Sequence, residues 1–94
     1  MKLGTKAEIF LAEFLGTFAL LLSILVTGNV YAIGATFLAV ICLIGGVSGA
    51  HINPAVSLVM YLNGTLESHV FALYMFSQFA GAVSAYYATK MLHL

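Results

Sequence analysis

"GGVSGAHINPAVS", residues 45–57, decides how the chain is read. It lies within a stretch, residues 14–66, that holds no Asp, Glu, Lys or Arg. Such a stretch reads as membrane interior, yet this segment carries three glycines, a histidine, an asparagine and Pro54, the only proline of the chain. Backbone in hydrocarbon must satisfy its own polar groups, and irregular backbone survives there only when buried in protein or lining a water-filled cavity. Gly45, Gly46 and Gly49 permit unusual dihedrals and close packing. Proline biases the preceding residue away from the helical region and itself suits a first helical turn. Asn53 therefore reads as an N-cap and Pro54 as the first residue of a short helix. "PAVSLVMY" falls well short of the about 20 residues a spanning helix needs, and Asn63-Gly64 ends it. The expectation for residues 48–62 is a re-entrant segment, with extended backbone going in and a half-helix coming out.

The flanks agree. Of the 94 residues, 63% are hydrophobic and 6% charged, with mean hydropathy +1.11 and no formal net charge. Soluble domains carry about 25% charged residues, which excludes an ordinary soluble fold. The absence of net basic charge argues against a nucleic-acid partner. A single cysteine, Cys42, excludes an internal disulfide and a multi-cysteine metal site, and no cofactor is expected. Spanning helices are predicted at about 7–27, 30–47 and 68–90, with Gly28-Asn29 as a tight turn between the first two. The second is marginal in length unless read through to Gly49. A signal peptide is a poor reading of the first segment, which holds Glu13 and lacks a clear cleavage site. The predicted fold class is an all-α membrane protein of three transmembrane helices and one re-entrant half-helix, a single domain over residues 1–94 and a multi-pass protein of the cell membrane.

This geometry has chemical content. A half-helix N-terminus presents free N–H groups and about half a positive charge, which repels cations and protons. The Asn53 amide can donate to a passing solute, and the carbonyls of Gly49, Ala50, His51 and Ile52 lack helical partners and can accept. A line of acceptors leading to a donor suits a small neutral hydrogen-bonding molecule. An ordinary helix pair with Asn-Pro as a simple turn would explain Asn53-Pro54-Ala55 alone, but not the glycines, the charge-free flanks and the short helix together. Glu13 is the one charge well inside a span, and intramembrane carboxylates are costly and mark functional sites. Gly81 and Ala85 form a small-xxx-small pair suited to helix contact. Tyr31, Tyr86 and Tyr87 suit an aromatic belt.

"SGAHINPAVS" (48–57) resembles the first Asn-Pro-Ala (NPA) box of the major intrinsic protein family, the aquaporins and glycerol facilitators. "AEFLGTF" (12–18) resembles the family's first-helix signature, and "YMFSQFAGAV" (74–83), with Gln78 and Gly81, its third-helix pattern. The resemblance covers nearly the whole chain in order. It implies a passive channel for water or another small uncharged solute, not an enzyme. It implies that Asn53, Pro54 and Ala55 meet the solute at mid-membrane, and that Glu13, with His51 and Gln78, braces the re-entrant loop. Aligned on the box, the family's narrow filter falls on Ile33, Ile41, Ala50 and Val56, with valine where the second half of family members places an arginine.

Family members carry two homologous halves related by a pseudo-two-fold axis in the membrane plane, whereas these 94 residues hold one half and one box. The expectation is that a partner supplies the other half. The least demanding partner is an inverted copy of the same chain, and the family's larger assembly would then hold four such pairs, eight chains. Lys2 and Lys6 against Lys90 give only a weak orientation bias, compatible with insertion in both senses. Three rival readings stand beside this one. The first is a half-channel subunit completed by a different partner half. A small dual-topology, proton-coupled multidrug transporter would use Glu13 as its proton and substrate site, but has no need of the "SGAHINPAVS" loop and would be expected to carry a tryptophan, which this chain lacks. A purely structural or membrane-lesion protein would explain the spans but not the box.

Overall fold

A computed structural model of the chain describes residues 2–94. Four helices make up most of it: α1 (Lys6–Thr27), α2 (Val30–Ser48), α3 (Pro54–Leu62) and α4 (Ser68–Met91). Local chemistry sets each boundary. Thr5 and Glu8 form a reciprocal capping box at the start of α1, with Thr5 N–H donating to Glu8 Oε1 (2.8 Å) and Glu8 N–H to Thr5 Oγ1 (3.2 Å). Gly28, at φ 55°, closes α1 in the left-handed conformation that glycine adopts without steric cost. Asn29 caps α2 at once, its Oδ1 accepting from the Tyr31 and Ala32 N–H groups at 2.9 and 3.0 Å. Two residues therefore reverse the chain. α3 ends in a Schellman motif, with Gly64 (φ 81°) donating to Tyr61 O and Thr65 N–H donating to Met60 O at 2.9 Å.

α1 is the centre of the architecture. Its buried residues are Ile9, Ala12, Glu13, Gly16, Thr17 and Leu20, spaced i, i+3, i+4, i+7, i+8 and i+11 along a single stripe. α2 returns antiparallel to it, and Gly4 N–H donates to Val47 O (2.8 Å), tying the N-terminal segment to the far end of α2. α4 runs parallel to α1 and presents Tyr74, Gln78, Gly81 and Ala85, again one helical face. α3 packs against α4, and a cluster of Ile9, Leu66 and Tyr74 closes this end of the molecule. A second cluster of Leu20, Val40 and Ile52 joins α1, α2 and the α2–α3 loop.

Two contacts set the helix spacing. A Cβ on Gly81 would stand 2.6 Å from Phe14 O, so α4 lies directly on the α1 backbone there. A Cβ on Gly16 would meet Ile44 Cδ1 at 2.8 Å and Ile52 Cγ2 at 3.0 Å.

α1 and α2 are long and apolar enough to cross a membrane. α4 is longer, at 24 residues, but less apolar, and turns Ser77, Gln78 and Thr89 inward. α2 packs on one side only: it buries just Val40 and Ser48, and leaves Val30, Tyr31, Leu38 and Leu43 exposed. Tyr31, Tyr86 and Tyr87 are exposed, and Lys90 Nζ sits 5.4 Å from the Tyr86 ring centre.

Gly81→Ala is expected to destabilise the chain by about 2 kcal/mol, because the added methyl meets backbone that cannot step aside. Gly34→Ala, in the interior of α2 with nothing within 4 Å, is expected to be neutral or to stabilise by up to about 1 kcal/mol. Thermal unfolding of the two variants in detergent checks the opposite signs.

Candidate functional site: the Glu13 cluster and the Asn53 tip

Between α2 and α3 the backbone cannot be regular. Gly49, Ala50 and Ile52 all have positive φ, at 81°, 51° and 41°. Glycine takes this without cost, but for alanine, and still more for β-branched isoleucine, such a backbone costs on the order of 1–3 kcal/mol per residue. The twisted loop turns successive N–H groups toward one point, and that point is the Glu13 side chain.

Glu13 is fully buried, about 10 Å along a helix about 33 Å long. Its Oε2 accepts from Ser48 Oγ (2.6 Å) and from His51 N–H (3.0 Å). Its Oε1 accepts from Ile52 N–H (2.7 Å) and from Gln78 Nε2 (3.0 Å). Four donors from α2, the loop and α4 thus converge on one carboxylate of α1. Gln78 must present its nitrogen here, since a flipped amide would set two oxygens 3.0 Å apart. Its Nε2 also donates to Ser57 Oγ on α3 (2.9 Å). Ser57 Oγ also shares a hydrogen bond with His51 Nδ1 at 2.9 Å. The His51 ring stacks on Tyr74 (centroids 4.3 Å apart), and Tyr74 Oη donates to Ser48 O at 2.6 Å.

Glu13, His51 and Gln78 are therefore brought together, with one difference of detail: His51 reaches Glu13 through its backbone N–H, while its ring serves Ser57 and Tyr74. Ser48, Ser57 and Tyr74 complete the cluster, and the sequence reading does not single them out. The usable signal is periodicity, because Tyr74 stands one turn before Gln78 on the same α4 face.

The other half of the loop faces outward. Gly49, Asn53, Ala55 and Val56 are exposed, and Ala50 and Pro54 half-buried, whereas His51 and Ile52 are buried. Asn53 Oδ1 caps α3 by accepting from Ala55 N–H (2.8 Å), leaving its Nδ2 to point donors outward. Of the four filter positions, Ile33 packs against the Leu20–Val40–Ile52 cluster, while Ile41 and Val56 lie on the surface. Ile33 and Ile41 stand about 12 Å apart along α2, so a single chain does not gather the four into a ring.

Glu13→Gln replaces one acceptor oxygen by an amide that confronts two of the four donors. The expected cost is about 3 kcal/mol, with helix content retained and the α2–α3 loop loosened. Circular dichroism melting and amide exchange at Ile52 check it; unchanged protection at Ile52 would contradict the geometry.

Comparison with known proteins follows the same residues. The chain is 42% identical over 66 residues to an aquaglyceroporin, AqpS, of Rhizobium meliloti, covering 70% of this chain and 27% of that protein. It is 38% identical over 90 residues to the glycerol uptake facilitator protein-like 6 of Lactiplantibacillus plantarum, covering 86% of this chain and 42% of that protein. Against human aquaporin-9 it is 40% identical over 94 residues, covering 84% and 32%. The chain thus spans less than half the length of these relatives. No solved structure matches it significantly. The family model for the major intrinsic protein matches residues 25–93, which takes in α2, the Asn53 tip, α3 and α4. The chain belongs to the major intrinsic protein family of integral membrane channels.

Proposed function

We propose that the chain is one half of a passive transmembrane channel for water or small uncharged solutes, completed by an inverted copy of itself. In this reading α1, α2 and α4 span the bilayer and residues 49–62 form the re-entrant element. The observation that carries it is the placing of the α3 N-terminus: the Glu13 cluster holds it beside the middle of α1 and α4 with Asn53 turned outward. Two such tips, from oppositely inserted chains, would meet at mid-membrane. There, two half-helix dipoles repel cations and protons, while Asn53 amides donate to a solute and the loop carbonyls accept from it. The relatives named as aquaporins, an aquaglyceroporin and a glycerol uptake facilitator support the solute class.

An inverted copy fits the bare flank of α2. A helix covered on one side by a single neighbour, with Leu38 and Leu43 outward, offers an apolar face to a second subunit. Glu13 does not suit the proton-coupled transporter reading, because both of its oxygens are already engaged by donors of its own chain. In the inverted pair, Ile33, Ile41, Ala50 and Val56 would form an apolar, uncharged constriction near each mouth, and assembly of four pairs would give eight chains.

Stopped-flow light scattering on liposomes holding the purified chain alone tests the proposal. Water or glycerol flux above that of empty liposomes is expected, without ion conductance. Val56→Arg, which adds one arginine at each mouth, is expected to cut glycerol flux at least several-fold more than water flux. Ion conductance in the wild type, or folded and paired chains with no flux, would refute it.

A further inference from the structure

Off the buried stripe of α1, Phe18, Ala19, Leu22 and Val26 line a groove of about 380 Å³, joined by Leu94 from beyond the end of α4. The backbone brings Leu94 there. His93 has φ 56°, and Leu94 N–H donates back to Thr89 O (2.9 Å), so the chain turns round the last turn of α4. The two hydroxyl residues of the lining, Ser23 and Thr27, are closed to a polar guest. Ser23 Oγ donates to Leu20 O and Thr27 Oγ1 to Ser23 O, both at 2.6 Å, and Thr27 Oγ1 also accepts from Asn29 N–H (3.1 Å). What the groove offers is hydrocarbon surface. From Phe18 to Thr27 it runs about 14 Å along α1, close to half of the about 30 Å hydrocarbon core of a bilayer. That is the depth of one leaflet, from the middle of α1 to the turn at Gly28-Asn29. The charges at this end are one-sided. At the opposite end Lys2 and Lys6 stand against Glu8 and Glu67, and Glu13 is buried in its cluster. Where α1 and α4 end and α2 begins, Lys90 is the one Lys, Arg, Asp or Glu, with Tyr31, Tyr86 and Tyr87 exposed around it as in a headgroup zone.

We propose that this groove is a site for an anionic phospholipid: one acyl chain lies along Phe18, Leu22 and Val26, and the headgroup phosphate pairs with Lys90. The two parts of the site are one helical turn apart, since Lys90 begins the turn that Leu94 closes. Lys90 is exposed, and its contact with Tyr86 engages a ring face, so its ammonium donors remain open to phosphate oxygens. The apolar groove by itself would take a chain from any lipid of the leaflet. Lys90 supplies the choice, because no carboxylate side chain at its end of the molecule competes for it. A single interfacial lysine favours an anionic over a zwitterionic lipid about five-fold. The length of one leaflet and the lone cation both favour a lipid over a second copy of the chain as the occupant. The site is built within one chain and does not rest on the channel reading.

Native mass spectrometry of the full chain in neutral detergent, titrated with phosphatidylglycerol and separately with phosphatidylcholine, tests it. Phosphatidylglycerol is expected to bind about five-fold more tightly than phosphatidylcholine. Lys90→Gln is expected to bring phosphatidylglycerol down to the level of phosphatidylcholine. Ala19→Phe, which fills the groove and keeps Lys90, is expected to weaken both lipids several-fold. Inorganic phosphate, a headgroup without a chain, is expected not to bind at the same concentrations. Equal affinity of the wild type for the two lipids overturns the site, as does a preference that survives Lys90→Gln. Lipid binding unchanged by Ala19→Phe also overturns it, because the headgroup would then be held outside the groove or a second copy would occupy it. Phosphate bound as tightly as lipid overturns the role of the acyl chain. If Ala19→Phe does not fold, Val26→Phe, at an exposed position of the same groove, carries the same contrast. No readout is a flux, so failure of the channel reading would leave this result standing.

Discussion

The arrangement of this chain depends on one carboxylate. Glu13 sits at zero exposure on the central helix and is reached by four donors from three other parts of the chain. A buried charge without such partners is prohibitively costly, and with them it becomes a fixed point to which flexible backbone can be tied. The α2–α3 loop needs one. Its positive-φ residues would relax to other conformations if the N–H groups of His51 and Ile52 had nothing to aim at. The carboxylate and the strained loop therefore explain each other: each is unfavourable alone, and the bonds between them offset both costs.

From that point the cluster spreads outward in a definite order. Gln78 bonds Glu13 and Ser57, Ser57 bonds His51, His51 stacks on Tyr74, and Tyr74 returns to Ser48, which bonds Glu13 again. α1, α2, α3 and α4 each contribute at least one member, so the ring of contacts locks the position of α3 relative to all three long helices. Backbone contact at Gly81 brings α4 close enough for Gln78 to reach across. The result divides the loop cleanly, with His51 and Ile52 drawn inward and Asn53, Ala55 and Val56 left outward.

Much of this arrangement is legible in the sequence. The charge-free stretch, the glycines and Asn53-Pro54 point to an interrupted helix, because proline and glycine act through local sterics that a sequence displays. Glu13 stands out because a carboxylate inside an apolar span must have a partner. Ser48, Ser57 and Tyr74 do not stand out, because serine and tyrosine are unremarkable in apolar helices until tertiary packing brings them to a donor or acceptor. The left-handed backbone at Ala50 and Ile52 is not legible either, since no local preference of those residues favours it; the Glu13 bonds impose it.

In the proposed inverted pair, two α3 N-termini would meet at mid-membrane. Pulsed electron–electron resonance on spin-labelled chains in liposomes addresses it most directly, using Ala55→Cys and Asn63→Cys separately in a Cys42→Ser background. α3 is about 13 Å long, and in an inverted pair its C-terminal ends point to opposite faces of the membrane. The inverted pair predicts a short distance between the labels at 55, and a distance about 24 Å greater between the labels at 63. Equal separations at the two positions, as in a parallel pair, or no dipolar coupling at 55, would contradict it.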